Sequence, residues 1–143
     1  MTYRSRHTTI VPLFQKWRIG IDKPIEGYQE EGKNLQAIIE LSDKAISTSG
    51  NYRKFFVENG VKYAHTINPK TGYPSKNNLL SVSIIANDCM TADAYATACM
   101  ASGLNNSKEM IANNHLEGYL VYSDSVGNYC VYITKGFQDR IIK

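Results

Sequence analysis

The chain has 143 residues, of which 43% are hydrophobic and 20% charged, a composition typical of one globular domain with a buried core. Its net charge of +3 is small and spread along the sequence, so it does not predict binding to nucleic acid. No apolar run approaches the roughly 18 residues of a membrane-spanning helix. The first residues also lack the continuous apolar stretch of a signal peptide, so we expect neither feature on this chain.

The three cysteines are Cys89, Cys99 and Cys130. They lack the Cys-x-x-Cys spacing that is typical of metal sites. An odd number of cysteines cannot form a complete disulfide framework. Buried free thiols are therefore the expectation, with a single bridge as the alternative.

Short amphipathic segments predict strands through the first half of the chain. Residues 1–14 are polar and interrupted by Pro12, so we expect an irregular N-terminal arm there. Alternation of polar and apolar residues predicts a strand over residues 16–21, with Trp17, Ile19 and Ile21 on one face. Further strands are predicted over residues 35–41, 44–48, 52–57 and 61–67, with reversals at Ser42-Asp43 and Asn59-Gly60. Together these strands predict an antiparallel meander.

Helices are predicted only after a further strand over residues 79–86. Thr91 is the predicted N-cap of a helix over residues 92–102 that Gly103 ends, and Ser107 is the predicted N-cap of a second helix to about residue 114. Two strands over residues 118–123 and 129–134 and a closing element over residues 137–143 complete the pattern. Strands, then helices, then strands indicate an α+β fold with a mostly antiparallel sheet and two or three helices.

A rigid turn follows His65 and Ile67. Residues 68–72, with the sequence NPKTG, combine an Asn that bonds its own backbone, a Pro that fixes φ and a Gly that accepts positive φ. Loops held by a scaffold often carry function, which makes His65 a candidate catalytic residue. From the sequence alone, the alternative for His65 is a structural role. The alternative for Ile67 is packing in the core.

Asp93 and Thr97 are four residues apart on the predicted helix, and therefore lie on one face in successive turns. A carboxylate and a hydroxyl placed in this way can share one hard cation such as Mg²⁺. In the structural alternative, Asp93 lies in the first turn, where its charge stabilises the helix N-terminus, and Thr97 bonds the carbonyl of Asp93. Spacing alone favours this alternative, because two ligands do not make a metal site.

Four blocks of the sequence resemble the FAD:protein FMN transferases, the ApbE-like flavin transferases. Residues 17–24, WRIGIDKP, are similar to the family's Trp-x-hydrophobic-Gly-Ile-x-x-Pro strand, and residues 47–53, STSGNYR, to its Ser-Gly-x-Tyr segment. Residues 65–72, HTINPKTG, are similar to its His-x-Ile-Asp/Asn-Pro-Arg/Lys-Thr-Gly signature, and residues 92–98, ADAYATA, to its Ala-Asp-Ala-x-Ala-Thr-Ala helix. The last two blocks, in this order and at this separation, make the resemblance specific.

The resemblance implies a reaction. Family members bind FAD and Mg²⁺ and transfer FMN to a Ser or Thr hydroxyl of an acceptor protein, with release of AMP, and some hydrolyse FAD to FMN and AMP instead. By resemblance, Asp93 and Thr97 are metal ligands, with a backbone carbonyl from the other half of the family fold as a further ligand. His65 matches the family's essential histidine and would move a proton or position phosphate. Ile67 matches a position that contacts FAD.

The resemblance also implies that residues 15–143 are the C-terminal part of an ApbE-like domain, a T-fold-like portion of a larger flavin transferase fold. The N-terminal half, which holds the carbonyl ligand and much of the FAD pocket, is expected to be missing. Ala96 also stands where some members carry an acid. Two alternatives therefore stay open, namely a non-catalytic remnant that binds FAD or a partner protein, and a Mg²⁺-dependent FAD pyrophosphatase. This chain alone does not predict a location, but the resemblance implies a periplasmic protein with a lipid anchor on the N-terminal part that is expected to be missing.

Overall fold

A computed structural model of the chain describes residues 16–24, 34–51, 55–58, 61–64, 66–75 and 77–142. The strands in these ranges are β1 (Trp17–Asp22), β2 (Leu35–Leu41), β3 (Ala45–Gly50), β4 (Phe55–Glu58), β5 (Val61–Ala64), β6 (Leu79–Ala86), β7 (Glu117–Ser123) and β8 (Tyr129–Ile133). The helices are α1 (Cys89–Ser102), α2 (Leu104–Asn113) and α3 (Lys135–Gln138). The predicted α+β class is confirmed. None of the described helices has the length and apolar character needed to cross a membrane.

The central sheet has four antiparallel strands in the order β3-β6-β7-β8. Two smaller antiparallel pairs, β1-β2 and β4-β5, accompany it. The β4-β5 pairing confirms the hairpin that Asn59-Gly60 predicts, although these two residues lie outside the described ranges. The last strand predicted in the first half was extended too far, because β5 ends at Ala64 rather than at Ile67.

The predicted meander is wrong at the connection between β2 and β3. The chain bends at Ser42-Asp43, where Asp43 has a φ of 53°. However, β2 pairs with β1 whereas β3 pairs with β6. The physical reason is burial. The apolar face of β2 packs with residues of β6 and β7 in one core cluster, so the β1-β2 pair covers the central sheet instead of extending it.

Alternation along β6 and β7 divides the core between the two faces of the central sheet. Ile85, Tyr119 and Val121 belong to the cluster that includes the β1-β2 pair and α3, whereas Ile84 and Leu120 belong to the cluster that includes α1 and α2. Strands buried on both faces explain why β6 is almost wholly buried. Tyr119 and Val121 therefore lie on the opposite face of the sheet from Leu120.

Helix α1 begins three residues earlier than predicted, at Cys89, and its N-cap is Asp88 rather than Thr91. The backbone N–H of Thr91 donates to Oδ1 of Asp88 at 2.8 Å, and the Thr91 hydroxyl donates to Oδ2 at 2.9 Å. A carboxylate that accepts both bonds is the stronger cap, so Thr91 becomes its partner inside the helix. Gly103 ends α1 as predicted, with a φ of 81°.

Helix α2 also begins earlier than predicted, at Leu104, and Ser107 lies inside it instead of capping it. The Ser107 side chain is fully buried, and its hydroxyl donates to the carbonyls of Gly103 at 2.7 Å and Cys99 at 3.0 Å. Ser107 therefore ties α2 to the last turn of α1. A serine inside a helix can donate its hydroxyl to a carbonyl of the preceding turn in this way, so Ser107 does not have to be a cap.

The three cysteines are free thiols, but only Cys99 is buried; Cys130 is half-buried and Cys89 is exposed at the start of α1. The expectation of buried thiols is therefore wrong for Cys89. It is the first residue of α1 and lies about one turn before the buried Ala92, at the end of the helix. Burial raises the pKa of the Cys99 thiol.

The C-terminal residues 135–142 pack against the core cluster that lies between the β1-β2 pair and the central sheet. Phe137 in α3 is fully buried, and its ring lies 5.4 Å from that of Tyr119. The backbone N–H of Ile142 donates to the carbonyl of Ile38 at 2.8 Å, and Ile141 bridges Ile39. The predicted closing element is therefore present, as a short helix followed by pairing with β2.

Because Phe137 is fully buried, Phe137→Ala should lower the free energy of unfolding by about 3–5 kcal/mol. Urea unfolding followed by circular dichroism measures the loss. Tyr129→Ala is the control, because Tyr129 is an aromatic residue that remains 57% exposed in the neighbouring strand β8. Equal losses in the two variants would contradict the packing of the tail.

The Asp88 cap should make stability depend on pH. Hydrogen bonds from the backbone and then the side chain of Thr91 hold the pKa of Asp88 below its ordinary value of 3.8. A lowered pKa in the folded state contributes stability above pH 3.8, and this stability is lost as the pH falls through the folded-state pKa. Asp88→Asn keeps an acceptor without the charge. Its unfolding midpoint in urea should therefore fall less than that of the wild type between pH 5 and about pH 2, and an identical fall would contradict the cap.

Candidate functional site

Asp93 and Thr97 follow the buried Ala92 and Ala96 by one residue each, and both side chains are exposed. Since each residue turns an α-helix by about 100°, the two lie on a face of α1 that flanks its buried face. Asp93 is the fifth residue of α1, so the first turn contains no acid. Within the described residues, the Thr97 hydroxyl also has no hydrogen-bond partner. These observations do not fit the structural alternative, which needs Asp93 in the first turn and Thr97 bonded to its carbonyl.

Ser47 of β3 contacts Asp93. Its hydroxyl donates to Oδ1 of Asp93 at 2.9 Å, which joins the helix to the sheet. Sequence reasoning missed Ser47, because three hydroxyl residues follow one another in β3 and nothing in the sequence selects the one that faces α1. The register supplies this information, since Ser47 pairs with Ile84, whose side chain packs on α1 and α2.

The turn after His65 has the predicted form. The backbone N–H of Lys70 donates to Oδ1 of Asn68 at 2.9 Å, and that of Gly72 donates to the Asn68 carbonyl at 2.8 Å. Gly72 has a φ of 73°, which favours glycine. The turn closes where Ile67 bridges Pro74. The Ile67 side chain is 48% exposed, which does not fit the alternative of packing in the core.

The turn is held at the C-terminal end of α1. The Ser75 hydroxyl donates to the carbonyl of Ala101 at 3.1 Å, and the Asn77 side chain donates to that of Met100 at 2.8 Å. Ala101 is one helical turn beyond Thr97. The structure therefore brings the turn that follows Ile67 (residues 68–72, the Ile67 turn) to the same helix as Asp93 and Thr97. His65 lies outside the described residues, so its assignment stays a prediction.

Asp93 and Thr97 are chemically suited to hold Mg²⁺. Both present oxygen, which this hard cation prefers, and both are accessible. Oδ1 of Asp93 accepts from Ser47, whereas Oδ2 has no hydrogen-bond partner within the described residues. Ala96, at the position where some family members carry an acid, is fully buried and offers no ligand. Within the described ranges, no three His, Cys, Asp or Glu side chains lie close enough together to hold a metal.

A cleft of about 480 Å³ lies near the other end of α1 and includes none of the predicted site residues. Several of its polar groups bond within the chain. Lys44 donates to Asn87, Thr134 donates to Glu117, and Tyr95 donates to Asn114 at 2.7 Å. These groups are already paired, so they give no indication of a ligand.

Comparison with known proteins supports the resemblance. The model of the ApbE family matches residues 7–120. A FAD:protein FMN transferase of Vibrio cholerae is 35% identical over 127 residues, which is 89% of this chain and 36% of that protein. Among solved structures, the ApbE protein of Thermotoga maritima matches with a TM-score of 0.71 at 31% identity over 90% of this chain and 39% of its own. The flavin transferase ApbE of Vibrio cholerae matches with a TM-score of 0.70 at 34% identity over 87% of this chain and 38% of its own. The chain therefore spans little more than a third of these relatives.

Proposed function

The chain belongs to the ApbE family, and from this premise we propose that it is part of an enzyme that transfers FMN from FAD to a Ser or Thr hydroxyl of an acceptor protein. The observation that carries the proposal is the exposed pair Asp93 and Thr97 on α1, with the Ile67 turn held at the end of the same helix. An oxygen-ligand pair beside a substrate-binding turn suits phosphoryl-type transfer, where catalysis is mainly positioning and charge stabilisation.

The reaction exchanges a phosphoanhydride bond of FAD for a phosphate ester bond to the acceptor. The acceptor hydroxyl oxygen attacks the phosphorus on the FMN side of the FAD pyrophosphate. The bond from this phosphorus to the bridging oxygen breaks, and AMP leaves with the bridging oxygen. The hydroxyl proton must be removed, and we assign this step to His65, since an imidazole accepts protons near neutral pH.

The Asp93 carboxylate and the Thr97 hydroxyl would hold Mg²⁺. When bound, this cation neutralises the charge that develops on the leaving phosphate. The exposed side chain of Ile67 and the backbone of its turn would contact FAD. Since this chain spans 36% of the Vibrio cholerae relative, we place the remaining metal ligand and the rest of the FAD pocket on the portion of the family fold that this chain does not match.

The same bond cleavage with water as the nucleophile would yield free FMN and AMP. The coverage of about a third of the relatives favours a second candidate for the isolated chain, which is FAD binding without turnover. The products separate the three activities. Covalent flavin on the acceptor indicates transfer, free FMN with AMP indicates hydrolysis, and bound FAD without AMP indicates binding alone.

Asp93→Ala and Thr97→Val should each reduce the rate of AMP release roughly 100-fold or more, because loss of a metal ligand removes several kcal/mol of transition-state stabilisation. The chain, joined to the portion of the Vibrio cholerae flavin transferase that it does not match, is incubated with FAD, Mg²⁺ and an acceptor protein of that transferase. AMP is measured by chromatography and covalent flavin by in-gel fluorescence.

Glu109→Gln is the matched control for these variants, because Glu109 is also an exposed helical carboxylate but lies on α2. It should react at the wild-type rate. Wild-type rates in both Asp93→Ala and Thr97→Val would contradict the proposed site, as would AMP release that persists in the presence of EDTA.

A further inference from the structure

The structure assigns a positioning role to Ser47, a residue that the sequence did not single out. We propose that the Ser47 hydroxyl, by donating to Oδ1 of Asp93 at 2.9 Å, orients the carboxylate so that Oδ2 is available to the divalent cation. The inference rests on the proposed function, since it takes Asp93 as a metal ligand. Ser47 acts through Asp93 and needs no contact with the cation or the substrate.

Without a fixed partner, the Asp93 carboxylate would be free to change its orientation. Asp93 lies on an exposed face of α1, where an unrestrained side chain samples several rotamers. Each rotamer that turns the carboxylate away from Thr97 reduces metal affinity, because the carboxylate must be ordered when the metal binds. A donor fixed in the neighbouring strand removes much of this cost in advance. Hydrogen bonds to ligating carboxylates commonly have this effect.

Ser47 is held firmly enough for this role. It lies within a ladder that runs from Ala45 opposite Ala86 to Gly50 opposite Ser81, without irregularity. On the opposite face of the sheet, the hydroxyls of Thr48 and Ser83 lie 2.7 Å apart, so a side-chain bond also joins β3 to β6. The Ser47 side chain is half-buried. The donor is therefore fixed by the sheet, whereas the acceptor is on the helix.

A hydroxyl is also the appropriate donor in chemical terms. It carries no charge, so it leaves the negative charge of Asp93 available to the cation, whereas a lysine or arginine would compete with the metal. It also has one proton to donate and therefore occupies one carboxylate oxygen only. The other oxygen, Oδ2, accepts no hydrogen bond within the described part of the chain.

Four variants of the 143-residue chain test the proposal, with Mn²⁺ as the probe because its free form is measured directly by electron paramagnetic resonance. Ser47→Ala removes the donor, and Ser47→Thr keeps it. Thr48→Val is the matched control, since it removes a side-chain hydrogen bond from the adjacent residue of the same strand without touching α1. Asp93→Ala removes the ligand itself. Circular dichroism establishes that each variant is folded.

Ser47→Ala should weaken Mn²⁺ binding by about 10-fold or more, which is the usual effect of removing a partner of a metal ligand. Ser47→Thr and Thr48→Val should bind within about twofold of the wild type, and Asp93→Ala should lose the site. Equal affinity in Ser47→Ala and the wild type, with binding lost in Asp93→Ala, would overturn the role of Ser47 alone. An equal loss in Thr48→Val would also overturn it, because the effect would then come from the strand as a whole. Equal affinity in Asp93→Ala and the wild type, or no binding by the wild type, would overturn the proposed metal site itself.

Discussion

The packing of α1 on the central sheet is the constraint on which the rest of the structure depends. The helix buries Ala92, Ala96, Cys99 and Met100, and three of these belong to the core cluster that includes Val82 and Ile84 of β6. Small residues at positions 92 and 96 let the helix lie close to the sheet. This close approach allows a side chain as short as serine, on β3, to reach the helix. The positions of Asp93 and Thr97 follow, because each comes one residue after a buried alanine.

The same packing connects the two candidate parts of the site. The Ile67 turn has strong local structure of its own, since Asn68 accepts bonds from the residues that follow it. Its attachment to the fold comes from Ser75 and Asn77, which donate to the last carbonyls of α1. Those carbonyls lack partners within a helix, so they are natural acceptors for a neighbouring loop. One helix therefore presents the two proposed oxygen ligands along its side and holds the Ile67 turn at its end.

The sequence predicted most features that depend on local periodicity or turn chemistry. Strands β2 and β6 were predicted with their observed bounds, and the turn at Asn68 with its observed bonds. What the sequence could not predict depends on contacts between distant residues. The pairing of β2 with β1, and of β3 with β6, depends on the burial of β2 against β6 and β7. The contact of Ser47 with Asp93 depends on the register of β3 against β6. The predicted caps Thr91 and Ser107 were misplaced because several capping residues compete nearby, and only the geometry selects among them.

The central claim is that Asp93 and Thr97 hold one divalent cation on the side of α1 that faces β3. The most direct measurement is the broadening of backbone amide signals by substoichiometric Mn²⁺ in the nuclear magnetic resonance spectrum of the ¹⁵N-labelled chain. If the cation binds there, the broadening is centred on Asp93, Thr97 and Ser47. Broadening centred instead on the cleft near Asp88 and Glu117, or spread evenly over the exposed carboxylates, would contradict the claim.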